Sequence, residues 1–198
     1  MTWVIVGLGN PGEDYECTRH NAGRMAVEFF AKQCDASAWR VDGKAKATVT
    51  KGAVAKQLFA AVLPDTFMNK SGSAVVKYVK SVKAAGKMIV VYDDLDLPFG
   101  KIKVSFDRGS GGHKGIESVT RAVKTKKFTR IRIGVSRSTP GGKTRKPEGE
   151  KEVNDYILAR FRDAELDELK KIFKRVSEAI ATTMSDGPTI AMNAANQG

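Results

Sequence analysis

Apolar and polar positions alternate with two different periods along this chain, and the changes of period outline its elements. Trp3-Val4-Ile5-Val6 is a β-branched apolar run that predicts a buried strand, ending in Gly7-Leu8-Gly9-Asn10-Pro11-Gly12. Glycines and an Asn-Pro-Gly turn let the backbone bend tightly and let another molecule come close. Ala22, Met25, Ala26, Phe29 and Phe30 then recur at i, i+3, i+4, i+7 and i+8, the spacing of an amphipathic helix. Residues 47–54 and 57–63 predict a two-stranded hairpin ending at Pro64. Asn69 stands near the amino end of a second predicted helix that carries Val75, Val76, Val79 and Val82.

Met88-Ile89-Val90-Val91-Tyr92 is the clearest buried strand and runs into Asp93-Asp94-Leu95-Asp96. Ile102, Val104 and Phe106 alternate as a half-buried strand. The glycine-rich residues 109–115 open a helix carrying Ile116, Val119 and Val123, and residues 128–135 form a further strand. Residues 137–149, rich in Pro, Gly and Lys, predict a mobile loop. The last helix begins with Asp163 as N-cap, buries Leu166, Leu169, Ile172, Phe173, Val176 and Ile180, and stops at Gly187-Pro188. The irregular alternation predicts an α/β fold: one domain over residues 1–188, a mixed twisted sheet with helices on both faces, and a loose tail over 189–198.

Composition adds the environment. No apolar run approaches the ~18 residues of a membrane span, and the opening MTWVIVGLGN lacks the basic start of a secretory signal. Cys17 and Cys34 are the only cysteines and form no CxxC, so neither a disulfide scaffold nor a zinc site is indicated; a reducing cytoplasm is expected. The formal net charge is +12, and residues 101–147 carry all of this excess, with fourteen basic residues against Asp107 and Glu117. Such a stretch is either a solvated basic surface or a face for phosphodiester backbones.

The two histidines, His20 and His113, both lie in loops at helix starts rather than in apolar stripes. With Asn10, Asn69 and Asp93 at similar strand-end or helix-start positions, they form a set able to hold a water and a carbonyl while a carboxylate orients an imidazole. Asp93, Asp94 and Asp96 lack an EF-hand pattern, which argues against a metal. Cys17 lies near His20 but nothing marks it as an activated thiolate, so packing is its simpler role. The turn at Gly7–Gly12 lacks the third glycine of a dinucleotide fingerprint. Residues 109–115 make a better anion cradle, or a flexible turn.

Five segments, GLGNPGEDYECTRHN, TFMNKSG, DDLDLPFG, GSGGHKGIESV and FTRIRIGV, together resemble the successive motifs of the bacterial peptidyl-tRNA hydrolase family. The resemblance covers the chain from Val4 to about Phe161. It implies cleavage of the ester between a peptide and the 3′ ribose of tRNA, with peptidyl-tRNA as partner and neither cofactor nor metal. It implies His20 as base and Asp93 as the carboxylate that holds it. Asn10 and Asn69 would bind the carbonyl and ribose end, Met68 and Tyr15 would line the cleft, and His113 would lie on its rim. Lys103 and Arg132 match positions that hold tRNA phosphate. A monomer is expected.

Two positions depart from the family pattern. Lys114 follows His113 where an Asn is usual, which leaves that contact to substrate open. Ser105 stands where a second phosphate-facing lysine is common, with Lys101 or Arg108 as compensation. An RNA-binding relative without turnover is the competing reading, opposed by the intact set of Asn10, His20, Asn69 and Asp93. A general carboxylesterase leaves the basic stretch unexplained and lacks a GxSxG elbow.

Overall fold

The computed structural model describes residues 2–139 and 144–197. β1 (Trp3–Gly7) is apolar throughout because both of its faces are covered: Trp3 and Ile5 join one core cluster, Val4 and Val6 the other. α1 (Ala22–Gln33), a short β2 (Arg40–Asp42) and the hairpin of β3 (Ala47–Val54) and β4 (Gln57–Pro64) follow. The two loop residues of the hairpin, Ala55 and Lys56, have φ of 48° and 60°, the left-handed pair that a type I′ turn requires.

Where the periodicity predicts one helix after Asn69, the chain makes a 3-10 turn (Met68–Lys70), α2 (Ser71–Val75) and α3 (Val82–Ala85). The β-branched valines of this stretch are weak helix formers, and Ser81 starts a new helix by accepting the Ala84 N–H at 3.1 Å. β5 (Met88–Pro98) extends beyond its apolar run through all three aspartates. Then come β6 (Ile102–Phe106), α4 (Lys114–Val123), β7 (Thr129–Ser138), β8 (Thr144–Arg145), α5 (Glu150–Leu158), α6 (Asp163–Asp186) and α7 (Pro188–Asn196).

The sheet has the order β2-β3-β4-β1-β5-β7-β6, with β8 on β7. β1 is parallel to β4 and β5, and β7 is parallel to β5, while the remaining pairs are antiparallel. α1, α6 and α7 cover one face and α2, α3 and α4 the other, so the predicted mixed sheet with helices on both faces is the observed one. Ile5, Ile89, Val91 and Ile131 are fully buried, each contributing about 1.5–3 kcal/mol by removal from water. α1 lies close on the sheet because residue 23 is glycine: a Cβ there would stand 2.2 Å from the Val91 carbonyl oxygen.

Three expectations are corrected. The predicted loop 137–149 is partly strand, with Arg137 opposite Arg145 and Ser138 opposite Thr144, and residues 140–143 of it lie outside the described residues. The predicted loose tail is α7. Pro188, read as a stop, occupies the first turn of this helix, where its missing N–H costs nothing. Asn196 then accepts from Val104 N at 2.9 Å and donates to Val104 O at 3.0 Å, which covers the edge of β6. At the start of α6 the N-cap is Arg162 rather than Asp163, and the Glu165 side chain accepts the Arg162 N–H at 2.8 Å.

Candidate active site

Because β4, β1, β5 and β7 run parallel, their carboxyl ends open on one side of the sheet. A cleft of about 390 Å³ lies there, lined by Asn10, His20, Met68, Asn69, Asp93 and His113 among others. The sequence spreads these six residues over a hundred positions, and the topology gathers them.

His20 sits in a 3-10 turn (Arg19–Asn21) that Arg19 anchors. The Arg19 guanidinium donates to Ala159 O and Arg160 O at 3.2 and 2.9 Å and to both Glu165 oxygens at 3.1 and 3.0 Å. It also stacks on the rings of Tyr156 and Phe161. The His20 Nδ1 lies 3.0 Å from each Asp93 oxygen, and Asp93 is only 3% exposed. Burial alone would raise the Asp93 pKa, but electrostatic attraction to the His20 and His113 imidazoles and the hydrogen bonds from them hold it well below the usual carboxylate range. With Nδ1–H donated to a carboxylate, His20 presents the Nε2 lone pair as its proton acceptor.

Asn10 is oriented just as tightly. Its side-chain Oδ1 accepts the Met68 N–H at 2.8 Å, so the Nδ2 amide protons are what Asn10 offers the cleft. Its backbone N and O are both bonded to the Asn21 side chain at 2.9 Å. Met68 is buried, and its sulfur sits where a Cβ on Gly115 would be, 2.4 Å away. Asn69 is exposed in the 3-10 turn and lines the cleft.

Not every candidate lies where the resemblance implies. Tyr15 stands behind the cleft wall, its ring edge-on to the lining residue Phe67 at 6.1 Å. His113 is not on the rim: its Nε2 contacts Asp93 Oδ1 at 3.0 Å, and its ring packs edge-on against Tyr92. Lys114 lines the cleft, where its ammonium lies 3.5 Å from Glu150 with both side chains exposed. Arg132 is turned inward, its Nε 2.5 Å from Asp94, with only 8% of its side chain exposed. Lys103, directly opposite Arg132 in the β6–β7 register, is exposed. Ser105 is buried, while Lys101 and Arg108 are exposed just beyond the two ends of β6.

The sequence reading missed several parts of this site. Asn21 and Arg19 were inside a recognised motif, but their long-range partners at Asn10 and Glu165 left no local signal. The wall formed by Val153, Asn154, Ile157 and Leu158 of α5 was also missed, although Val153 and Ile157 at i, i+4 gave a faint amphipathic mark. His20, Asp93 and His113 bring ligand atoms within 4.8 Å of one another. That spacing suits a metal ion or a hydrogen-bonded relay, and the position of the imidazole protons decides between them.

Comparison with known proteins gives one consistent result. The family model described as peptidyl-tRNA hydrolase matches residues 4–198. A peptidyl-tRNA hydrolase of Herpetosiphon aurantiacus is 42% identical over 197 residues, covering 98% of this chain and 90% of the relative. One of Chloroflexus aggregans is 39% identical, covering 98% of each. The crystal structure of peptidyl-tRNA hydrolase from Acinetobacter baumannii superposes with a TM-score of 0.85 at 28% identity, over 98% of this chain and 94% of that one.

Proposed function

Since this chain belongs to the peptidyl-tRNA hydrolase family, we propose that its cleft cleaves the ester joining a peptide to the 3′ ribose of tRNA, with His20 as general base. One observation carries the assignment of the base: the His20 Nδ1 is within 3.0 Å of both oxygens of a buried carboxylate, beside an amide whose N–H groups face the same cavity. Water gives a proton to His20 Nε2 as its oxygen attacks the ester carbonyl. Imidazole suits this step because its unperturbed pKa, ~6.5, lies close to neutrality. Negative charge develops on the carbonyl oxygen, and the Asn10 Nδ2–H groups stabilise it without adding a cation that the base would have to face. Collapse of the tetrahedral species expels the ribose oxygen, which recovers the proton from His20. Asn69 binds the ribose end of the substrate.

Tyr15 supports the wall through Phe67, and Met68 forms the floor beside Asn10. Lys103 makes the first contact with tRNA phosphate, and Arg132 adds to the field while its own charge is shared with Asp94. The protein acts as a monomer in the cytoplasm; among the described residues no helix is long and apolar enough to cross a membrane. The deciding experiment is release of an N-blocked amino acid from N-blocked aminoacyl-tRNA, with unblocked aminoacyl-tRNA as control. Release from the blocked substrate only is the expected result; release from neither would overturn the reading.

A further inference from the structure

The polar contacts of His113 are compatible with a single placement of its proton. Its Nδ1 lies 3.2 Å from Gly115 N and 3.3 Å from Ile116 N, two of the free N–H groups in the first turn of α4. Backbone N–H groups only donate, so Nδ1 must present a lone pair. The ring proton is therefore on Nε2, the atom 3.0 Å from Asp93 Oδ1. We propose that His113 is a positioning residue: by capping α4 it is fixed as the neutral Nε2–H tautomer, and that N–H holds Asp93 in register for His20. The proposal rests on the reading of His20 as the base.

The ring has little freedom to do anything else. Tyr92 meets it edge-on with centroids 4.8 Å apart, and the His20 ring is 5.1 Å away. A Cβ on Gly115 would stand 3.1 Å from His113 Cε1, so the helix start closes on the ring from the third side. Turning the ring over would take an acceptor from two N–H groups that have no partner within the helix. The ionisable groups facing it are Asp93 and Tyr92 from β5 and His20 from the turn before α1. Lys114 is turned to Glu150, and Asp94 and Asp96 are paired with Arg132 and Lys146.

Two N–H groups thus share one carboxylate. Asp93 divides its charge between them and holds the proton of His20 less tightly than it would alone. It also cannot rotate away when His20 becomes charged during the reaction. The same tautomer answers the metal question: a protonated Nε2 has no lone pair for a cation, and moving its proton to Nδ1 would uncap α4.

The test is His113→Ser, since serine caps helices well and its short side chain leaves Asp93 without the second donor. With peptidyl-tRNA, kcat should fall by about tenfold or more while KM stays within about threefold. His20 then has the whole carboxylate, so the acid limb of the pH–rate profile should move to higher pH. An unmoved acid limb with near-normal kcat would overturn the proposal, and so would a raised KM at unchanged kcat, which would make His113 a substrate contact. His113→Asn, also a good cap, serves if the serine variant does not fold. Nitrogen-15 NMR of the imidazoles in the wild-type protein gives a readout independent of turnover. Protonated Nε2 with bare Nδ1 at His113 is expected, and the reverse would overturn the tautomer even if His20→Ala behaves as a lost base. An active His20→Ala variant, by contrast, would remove the base assignment and leave the tautomer standing.

Discussion

The Asn21 side chain grips the backbone of Asn10 at both ends, Oδ1 accepting its N–H and Nδ2 donating to its carbonyl, each at 2.9 Å. This is the pairing a neighbouring strand would supply, provided instead by one amide at the start of α1. It fixes the direction of Asn10 after β1 has ended. Asn21→Ala leaves two buried backbone groups without partners, each costing roughly 1–3 kcal/mol. A lowered melting temperature together with a fall in kcat is expected, with Asn21→Asp intermediate because it keeps the acceptor. A melting temperature and kcat both at wild-type level would show that Asn10 is held by other means.

His20→Ala should remove most of the turnover, by about 10²–10⁴ in kcat, while tRNA affinity stays near its wild-type value. Filter binding of uncleaved substrate beside single-turnover kinetics separates the two. Retention of most of kcat would require a different base.

Asp93 should leave a signature in stability as well as in rate. Its folded-state pKa is depressed below the ordinary ~3.9, so the stabilisation it gives is fully present above that pH and is lost as pH falls through and below it. Asp93→Asn removes this dependence. Urea unfolding at pH 7 and at pH 3 should therefore show a smaller gap between wild type and variant at the lower pH. Equal gaps at both would mean that the carboxylate does not titrate differently on folding.

The exposed and the buried cation of the β6–β7 pair should behave differently with salt. Lys103→Ala should reduce the slope of log affinity for tRNA against log salt by about 0.7–0.9. Arg132→Ala should reduce it less, because its guanidinium is committed to Asp94, and should instead lower the melting temperature by stranding that carboxylate. Identical slopes for Lys103→Ala and wild type would make the basic stretch a solvated surface.

The elements were legible in the sequence wherever one period held for a full element. β1, β5 and the hairpin had it, and so did α1, α4 and α6. The pieces that were not legible depend on distant partners. α7 is short and built mainly of small residues with no clear apolar stripe, and the bonds of Asn196 to Val104 are a tertiary fact. The single predicted helix after Asn69 broke because its valines recur at helical spacing while resisting helical backbone. In the site, residue type pointed to the chemistry of His20 and Asp93, but not to the inward turn of Arg132 or the pairing of Lys114 with Glu150. Both are settled by which carboxylate happens to lie nearby, Asp94 for one and Glu150 for the other.

The two sides of the cleft differ in how much change they can absorb. On the catalytic side, Gly23 and Gly115 bring helix backbone against Val91 and Met68 so closely that even a methyl group has no room. On the α5 side, Glu150 and Lys146 meet Lys114 and Asp96 through solvent-exposed ion pairs, and such pairs typically contribute no more than ~1 kcal/mol. Mutational libraries meant to widen the cleft for bulkier esters therefore belong at Val153, Asn154, Ile157 and Leu158. There smaller side chains open the cleft while Tyr156, on the same helix, keeps its contact with Arg19, whereas on the opposite side a misfit would pull the base away from its carboxylate.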